Sequence, residues 1–494
     1  MKPFFLALII ISYFLLLLII SLVTGRNAGN KGFFLGNRKS PWYIVAFGMI
    51  GASLSGVTFI SVPGWVGESR FAYMQMVLGY LLGYLFIAHV LMPLYYRLNL
   101  TSIYTYLETR FGHRSYKTGA SFFLLSRIIG ASFRLFLMAT VLQITIFQSW
   151  HIPFWVTVII TILLIWLYTF RGGIKTIIWT DTLQTTFMLL SVILTVIFVS
   201  KQMGLNFGGM VREIKESPFS QIFFFDDWHD KRFFLKQFLS GAFITIVMTG
   251  LDQDMMQKNL SCKNIGEAKK NMYWFSIILV PVNLLFLSLG ALLYLFAAHN
   301  GIAIPERADE LFPVIATGGY LPAVVSVFFM LGLIAAAYSS ADSALTALTT
   351  SFTVDILGTK GKSEEKIRTT RMRVHIAISA VMVLLILLFR AINDESVISS
   401  LFTAAGYTYG PLLGLYAFGL FTRWKVKDKW VPAVAILSPI ICYILNIHSE
   451  TWFNGYRFGF EMLILNGLIT FLGLLLIRRK NNPSPLPSGK EPSL

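Results

Sequence analysis

A cluster of oxygen-bearing side chains lies in the middle of a hydrophobic stretch, Leu331 to Ile356, that is long enough to cross a lipid bilayer. The cluster consists of Ser339, Ser340, Asp342 and Ser343. Helical spacing places four residues on one face, namely Ala336, Ser339, Ser340 and Ser343. Hydroxyl and carbonyl oxygens on one helix face are suitable ligands for a small hard cation.

Two interpretations of this cluster are open. Serine hydroxyls in a helix often donate to carbonyls of the preceding turn, which would give the serines a purely structural role. Asp342 favours a function, because a carboxylate at the centre of a membrane helix costs roughly 2.5–3.5 kcal/mol on insertion scales and is seldom present without a role. The small residues at 335–337 would let a neighbouring helix approach closely enough to share ligands.

The composition indicates that this stretch is one of many membrane helices. The chain has 494 residues, of which 55% are hydrophobic and 13% charged, and its mean hydropathy is +0.67. This balance excludes a soluble globular protein and predicts an all-α polytopic membrane protein with roughly 13 transmembrane helices. The net charge of +17 comes from basic residues dispersed between apolar segments, which argues against nucleic acid as a partner and indicates contact with the lipid bilayer.

The distribution of Lys and Arg gives the predicted orientation. With the N-terminus outside, most of the 41 Lys and Arg residues fall on the cytoplasmic side, and the C-terminus is cytoplasmic. We therefore expect a multi-pass protein of a bacterial inner membrane or a plasma membrane. The first apolar segment, 4–24, could alternatively be a signal peptide, but its long apolar run favours a retained helix.

Hydropathy predicts a single transmembrane domain over residues 1–480, followed by a polar, Pro-rich cytoplasmic tail at 481–494 that we expect to be disordered. The predicted spans are 4–24, 42–66, 72–98, 118–148, 152–169, 176–200, 233–251, 271–299, 321–356, 372–392, 397–421, 430–447 and 459–478. The two cysteines, Cys262 in a predicted cytoplasmic loop and Cys442 in a span, indicate neither a disulfide nor a thiolate metal site.

The span at 42–66 is rich in residues that interrupt helices. These residues are Gly48, Gly51, Ser53, Ser55, Gly56, Thr58 and Pro63. They predict a broken helix, which would expose backbone carbonyls near the middle of the membrane, as secondary transporters do at their ion and substrate sites. The alternative is an unbroken helix whose Gly and Ser residues form a face for close packing.

Three charged residues in other spans are further candidates. Asp181 begins an apolar span, where it could bind an ion or cap the helix N-terminus. Arg127 and Arg134 are seven residues apart and so share one helix face. Either arginine could pair with an acid, attract an anionic substrate or extend to the membrane surface.

Three motifs resemble stretches of the sodium:solute symporter family. They are GGIKTIIWTDTLQ at 172–184, TGLDQDMMQKNLSCKNIGEAKKNM at 249–272 and the stretch that ends with SFTVDI at Ile356. The resemblance extends from GFFLGNRKSPWY, before the second span, to the end of the eleventh span near Phe421. It implies a leucine-transporter-type core of two inverted five-helix repeats, at about 42–200 and 233–421, with one helix before the core and two after it.

The resemblance also implies a sodium site where the second span meets the stretch at 331–356. Its ligands would be the backbone carbonyls of Gly51, Leu54 and Ala336 and the hydroxyls of Ser339 and Ser340. A second sodium site, present in some members, would use Asp181, Ser339, Asp342 and Ser343. Members usually have Ser or Thr at the position of Asp342, so the additional carboxylate could bind sodium more tightly or carry a proton.

For the solute, Ser55 and Thr58 resemble residues of symporters for sialic acids and small carboxylates. Thr245 and Thr403 stand where galactose-type members have amides, and Met248 stands where those members have a gating tyrosine. A sugar of the galactose kind is therefore not supported. The further candidate substrate ligands are Gln75, Tyr80, Arg127 and Arg134.

Together these features predict a sodium-coupled secondary active symporter that imports a small polar organic solute, such as a sialic acid or another carboxylate, by alternating access. A proton-coupled symporter that uses Asp342 and Asp181, or a sugar symporter of the same family, are the alternatives. An enzyme is not expected, because the spans contain no HExxH motif and no serine–histidine arrangement. The oligomeric state is left open.

Overall fold

The structure, a computed structural model, describes residues 3–25, 38–100, 102–358, 361–392 and 397–479. Within these ranges the chain is almost wholly helical, and its extended pairing is limited to two isolated β-bridges. The all-α fold class predicted from the composition is therefore confirmed for this part of the chain. The predicted disordered tail, 481–494, lies outside the described residues.

The helices differ widely in length, from a single turn to 49 residues. In chain order they are α1 (Pro3–Gly25), α2 (Trp42–Leu54), α3 (Gly56–Ser69), α4 (Tyr73–Arg97), α5 (Thr105–Arg110), α6 (His113–Leu142), α7 (Phe154–Gln202), α8 (Phe207–Glu216), α9 (Phe234–Gly250), α10 (Gln253–Leu260), α11 (Ile265–His299), α12 (Leu311–Thr317), α13 (Ala323–Ile356), α14 (Glu364–Ile392), α15 (Val397–Phe421), α16 (Val431–Ile447), α17 (Ser449–Trp452) and α18 (Met462–Leu476).

Seven of the described helices are long and apolar enough to cross a membrane, and nine spans result if each of two bent helix pairs counts as one. Shorter apolar helices at Leu8–Val23, Phe154–Trp166 and Met462–Leu476 lie where further spans are predicted. The polytopic character is thus confirmed, whereas the number of roughly 13 spans stays a prediction. Helix α7 covers nearly all of the span predicted at 152–169 and the whole of the span predicted at 176–200.

The predicted break in the second span is present. Helices α2 and α3 are bent by 53° at Ser55, whose backbone has a φ of 23° and a ψ of 171°. A residue with a side chain rarely adopts a positive φ, so the chain stores some strain at this position. The amide of Ser55 still donates to the carbonyl of Gly51 at 3.0 Å, which closes the last turn of α2 before the break.

A second helix is also broken, and the sequence did not predict it. Helices α9 and α10 are bent by 67° around residues 251–252, at the end of the span predicted at 233–251, and α10 lies in a segment that the hydropathy assigned to a cytoplasmic loop. All eight residues of α10 are buried, although the helix contains two charged side chains, Asp254 and Lys258. The loop assignment was wrong because buried partners from other helices neutralise these charges.

Helix α13 lies in the interior of the helix bundle, where every residue from Gly332 to Ser351 is buried. Helix α2 packs closely against α7, and a Cβ atom on Gly51 would come within 2.2 Å of Thr185 Oγ1. Small residues let helix backbones approach in this way, since van der Waals contact provides much of the packing energy inside a membrane. This packing brings the break of α2 and α3 next to the polar middle of α13.

Candidate functional site

The break between α2 and α3 lies directly against α13. A Cβ atom on Gly56, just after the break, would come within 3.4 Å of the Ala337 backbone. The last carbonyls of a helix lack continuing intrahelical partners, although the carbonyl of Gly51 still accepts from the amide of Ser55. The structure therefore brings together the two helices that the family resemblance assigned to the first sodium site.

The hydroxyls on α13 have different partners. Ser340 Oγ donates to the carbonyls of Ala336 and Ala337 at 3.3 and 3.2 Å, as the structural interpretation of the serines expected. Ser339 Oγ instead leaves its own helix and donates to Asp181 Oδ1 on α7 at 2.6 Å. Each hydroxyl oxygen can still accept or coordinate through its lone pairs, so both remain available as cation ligands.

Asp181 is buried, with 1% of its side chain exposed, and is paired with a lysine. The Nζ atom of Lys258 on α10 donates to Asp181 Oδ2 at 2.8 Å. Asp342 and Ser343 are also buried, and the backbone amide of Ser343 donates to Asp342 Oδ1. The residues expected at the second sodium site thus lie on neighbouring helices, α7 and α13, beside a lysine that the sequence analysis did not single out.

A second buried network stabilises the break between α9 and α10. Arg127 on α6 forms ion pairs with Asp254 and, at 3.5 Å, with Asp252. Tyr409 on α15 donates from its hydroxyl to Asp252 Oδ2 at 2.9 Å. Asp252 also caps α10, because its Oδ1 atom accepts from the amide of Asp254 at 3.0 Å. Arg127 is therefore already neutralised by two carboxylates of this chain.

Arg134, one helical repeat further along α6, has a different environment. Its side chain is buried, with 6% exposed, and within the described residues it forms no ion pair with an acid. Its Nε atom has no hydrogen-bond partner in that part of the chain. A buried guanidinium without a counter-ion is energetically costly, so Arg134 is the arginine suited to an anionic ligand.

A cavity of about 80 Å³ lies at the centre of the helices, next to the break at Ser55. Six of the predicted substrate residues line it, namely Ser55, Thr58, Tyr80, Arg127, Arg134 and Thr245. The sequence analysis missed further polar lining residues, which are Ser53, Tyr73, Tyr84, Thr249 and Asn283. The sequence does indicate Asn283 as a candidate, because an amide in the middle of an apolar span is as unusual as a hydroxyl cluster.

Two predicted substrate residues do not line the central cavity. The Gln75 side chain is buried between the start of α4 and the segment that connects α8 to α9, where it donates to the carbonyl of Arg232 at 2.8 Å and accepts from the amide of Phe224 at 3.2 Å. Its bonding partners give it a structural role. Thr403 instead lines a wide vestibule beyond the cavity.

The vestibule has a volume of about 1110 Å³ and opens on the side that the charge distribution predicts to be outside. Tyr73 and Phe402 line both the vestibule and the central cavity, and their rings stack with centroids 6.4 Å apart. The rings of Tyr73 and Phe402 therefore separate the cavity from a wide polar entrance.

At the vestibule wall, partial burial disfavours the charged form of Asp230. Hydrogen bonds from Arg232 outweigh this effect of burial and hold the pKa of Asp230 below its ordinary value.

The opposite end of the bundle is held together by polar contacts between α6 and α13. Tyr116 donates to Asp355 Oδ1 at 2.7 Å, and Ser351 donates to Asp355 Oδ2 at 2.6 Å. The Nζ atom of Lys117 donates to the carbonyl of Ile356 at 2.8 Å. The wide entrance and these contacts lie at opposite ends, as in a transporter that is open to one side of the membrane.

Comparison with known proteins agrees with this geometry. The sequence profile described as "Sodium:solute symporter family" matches residues 33–427. The sodium/sialic acid symporter NanT of Aliivibrio fischeri is 28% identical over 477 residues, which cover 90% of this chain and 88% of that protein. The sodium/sialic acid symporter SiaT of Proteus mirabilis is 25% identical over 467 residues, which cover 90% of each protein.

A solved structure has a similar fold. It is described as the substrate-bound outward-open state of a Na⁺-coupled sialic acid symporter, and it superimposes with a TM-score of 0.80 at 20% sequence identity, covering 95% of this chain and 97% of that one. Similarity at this level of identity shows a shared fold. Since the profile match covers most of the chain, the protein belongs to the sodium:solute symporter family.

Proposed function

We propose that this protein imports a small organic anion together with sodium by alternating access. The observation that carries this proposal is Arg134, a buried guanidinium without an acidic partner among the described residues, in the wall of the central cavity. A ligand carboxylate could form a bidentate pair with it and thereby neutralise the buried charge. Arg127 is excluded from this role by its two carboxylate partners.

For sodium, we propose the five ligands that the family resemblance implies. They are the carbonyl oxygens of Gly51, Leu54 and Ala336 and the hydroxyl oxygens of Ser339 and Ser340. The close contact between Gly56 and Ala337 supports this assignment, because it juxtaposes the two halves of the ligand set. Neutral, hard oxygen ligands are those that a monovalent hard cation prefers.

Coupling follows from the position of Ser55 between the two sites. A sodium ion bound to carbonyls at the end of α2 and to α13 would fix the geometry of the break, and the break positions Ser55 and Thr58 in the cavity wall. Each ligand then favours the conformation that binds the other. Each sodium ion that moves inward through about 100 mV supplies roughly 2.3 kcal/mol for accumulation of the solute.

The wider architecture belongs to the same proposal. We assign two inverted five-helix repeats at about 42–200 and 233–421, within about 13 spans, an outer N-terminus and a cytoplasmic C-terminus. The positions of the two bent helices support the repeats, since α2 and α9 each begin one of them. The relatives named as sialic acid symporters support sialic acids as the first solutes to test.

The experiment is a thermal-shift screen of the purified protein with sialic acids, monocarboxylates and neutral sugars, each with and without sodium. We expect an anion to raise the unfolding temperature only when sodium is present, with a stabilisation of about 2.7 kcal/mol at a ligand concentration near 100 times Kd. Arg134→Met should remove the response to the anion. A response to neutral sugars alone would contradict the proposed substrate class.

Ser340→Ala tests the sodium site in the same assay and in proteoliposome uptake. Loss of this hydroxyl should abolish sodium-driven uptake and leave membrane insertion unchanged. Ser326→Ala is the matched control, because Ser326 lies on the same helix but its hydroxyl donates to the carbonyl of Ala316 at 2.6 Å. Uptake that persists in Ser340→Ala, or that follows a proton gradient without sodium, would refute the assignment.

A further inference from the structure

Lys258 places a positive charge among the residues that the family resemblance assigned to a second sodium ion. Its Nζ atom lies 2.8 Å from Asp181 Oδ2, and both side chains are 1% exposed. The other carboxylate oxygen, Oδ1, accepts from Ser339 Oγ at 2.6 Å. Both oxygens of Asp181 therefore already have donors that belong to the chain itself.

The path of the chain explains how the lysine reaches this position. Lys258 lies on α10, the short half of the second bent helix, whose residues are all buried. The bend of 67° turns α10 into the bundle and towards α7, where Asp181 lies. The acid on the same short helix, Asp254, pairs with Arg127 on α6 instead. Helix α10 thus contributes one cation and one anion, and each forms an ion pair with a residue on a different helix.

Lys258 already balances the carboxylate of Asp181 through a direct contact at 2.8 Å. A second sodium ion at Asp181 would have to lie beside the ammonium group in a buried site, where like charges repel strongly. The residues present therefore do not fit a second sodium ion.

We propose that the Lys258 ammonium is a built-in cation that replaces a second sodium ion at Asp181, so that the protein moves one sodium ion in each transport cycle. This inference rests on the proposed sodium-coupled function. Its consequence is thermodynamic, because the solute gradient would then scale with the first power of the sodium gradient rather than with its square.

The experiment counts bound sodium with ²²Na⁺ in an equilibrium binding assay on the purified full-length protein, which needs no knowledge of the solute. We expect one saturable sodium ion for each wild-type protein and one for Lys258→Arg, which keeps the charge. Lys258→Gln should bind two, since Asp181 loses its built-in cation and the hydroxyl of Ser343, which has no hydrogen-bond partner in the described part of the chain, can serve as a further ligand. The double variant Lys258→Gln/Asp181→Asn should return to one.

The outcomes separate this inference from the proposed function. A wild-type count of two refutes the built-in cation, even if the variants do not fold, and leaves the sodium-coupled function intact. A count of one in both the wild type and a folded Lys258→Gln also refutes it, because Lys258 would then be a structural partner of Asp181 only. No saturable binding to the wild type, or a count of one that persists in Ser340→Ala, would instead refute the proposed sodium site.

Discussion

The two bent helices of this symporter break in different chemical surroundings. The first breaks at Ser55, and the residues around the break are neutral, with Gly56 packed against α13. The second breaks at residues 251–252, where Asp252 and Asp254 are bound by Arg127 and Tyr409 of the chain itself. The break in a helix can therefore leave ligands for an exchangeable ion, or it can be occupied permanently by charged side chains of the protein.

The difference between the breaks has a structural basis in the neighbouring helices. Beside the first break, helix α13 carries small and hydroxyl side chains at Ala336, Ala337, Ser339 and Ser340. Helix α6 offers the second break an arginine, which matches the two carboxylates. Neutral ligands bind a sodium ion reversibly, whereas a buried ion pair within the chain is lost only if the structure opens. We therefore expect mutations at the second break to affect stability and mutations at the first to affect sodium and solute.

The largest effect should come from the two arginines of α6. Arg127→Met would leave Asp252 and Asp254 without their cation, and removal of one partner from a buried ion pair costs about 3–5 kcal/mol. Arg134→Met is the matched control, because it removes a buried charge that lacks an acidic partner in the described part of the chain, and its unfolding temperature should be unchanged or higher. Thermal unfolding of the detergent-purified variants without solute measures both.

An equal loss of stability in the two arginine variants would contradict the contrast between them. It would mean that Arg134 also neutralises an acid in the folded protein and is not held for a ligand. If Arg127→Met unfolded at the wild-type temperature, the second break would not depend on its ion pairs.

A smaller effect is expected at Tyr409, which binds the same break from α15. Tyr409→Phe removes the hydrogen bond to Asp252, and a bond to a charged acceptor contributes about 1.5–3 kcal/mol. Tyr407→Phe, two residues earlier on the same helix, removes only a neutral contact with Asn446 at 3.0 Å and should cost about 0.5–1.5 kcal/mol. Comparing their unfolding temperatures, and that of a Tyr409→Phe/Arg127→Met double variant, would show whether the two contacts stabilise one network. Additive losses in the double variant would indicate independent contacts.

The contrast between the breaks also explains what the sequence could predict. The first break is encoded locally, since Gly51, Ser55 and Gly56 in one span predict an interrupted helix without any knowledge of its neighbours. At the second break the sequence predicts a loop, because acidic residues such as Asp252 and Asp254 next to an apolar segment usually mark the end of that segment. Their burial is made tolerable by contacts that are distant in the chain, such as that with Arg127, 127 residues away from Asp254.

The two arginines of α6 show the same limit of prediction from sequence. A spacing of seven residues placed Arg127 and Arg134 on one helix face, yet it could not decide which of them meets an acid. That choice depends on the position of α10 relative to α6. Lys258 lies in the family-like motif at 249–272, but the sequence does not identify it as a partner of Asp181, because the two residues are 77 positions apart and the lysine lies in a predicted loop.

The smallest predicted effect concerns the strain at the first break. Ser55 has a positive φ, a conformation that costs a residue with a side chain about 1–3 kcal/mol and that glycine adopts freely. Ser55→Gly and Ser55→Ala both remove the hydroxyl, but only glycine relieves the backbone. Without solute, we expect the glycine variant to be more stable than the alanine variant by about 1 kcal/mol, seen as a higher unfolding temperature. Equal temperatures would mean that the bend of 53° is imposed by packing against α13 and stores no strain at Ser55.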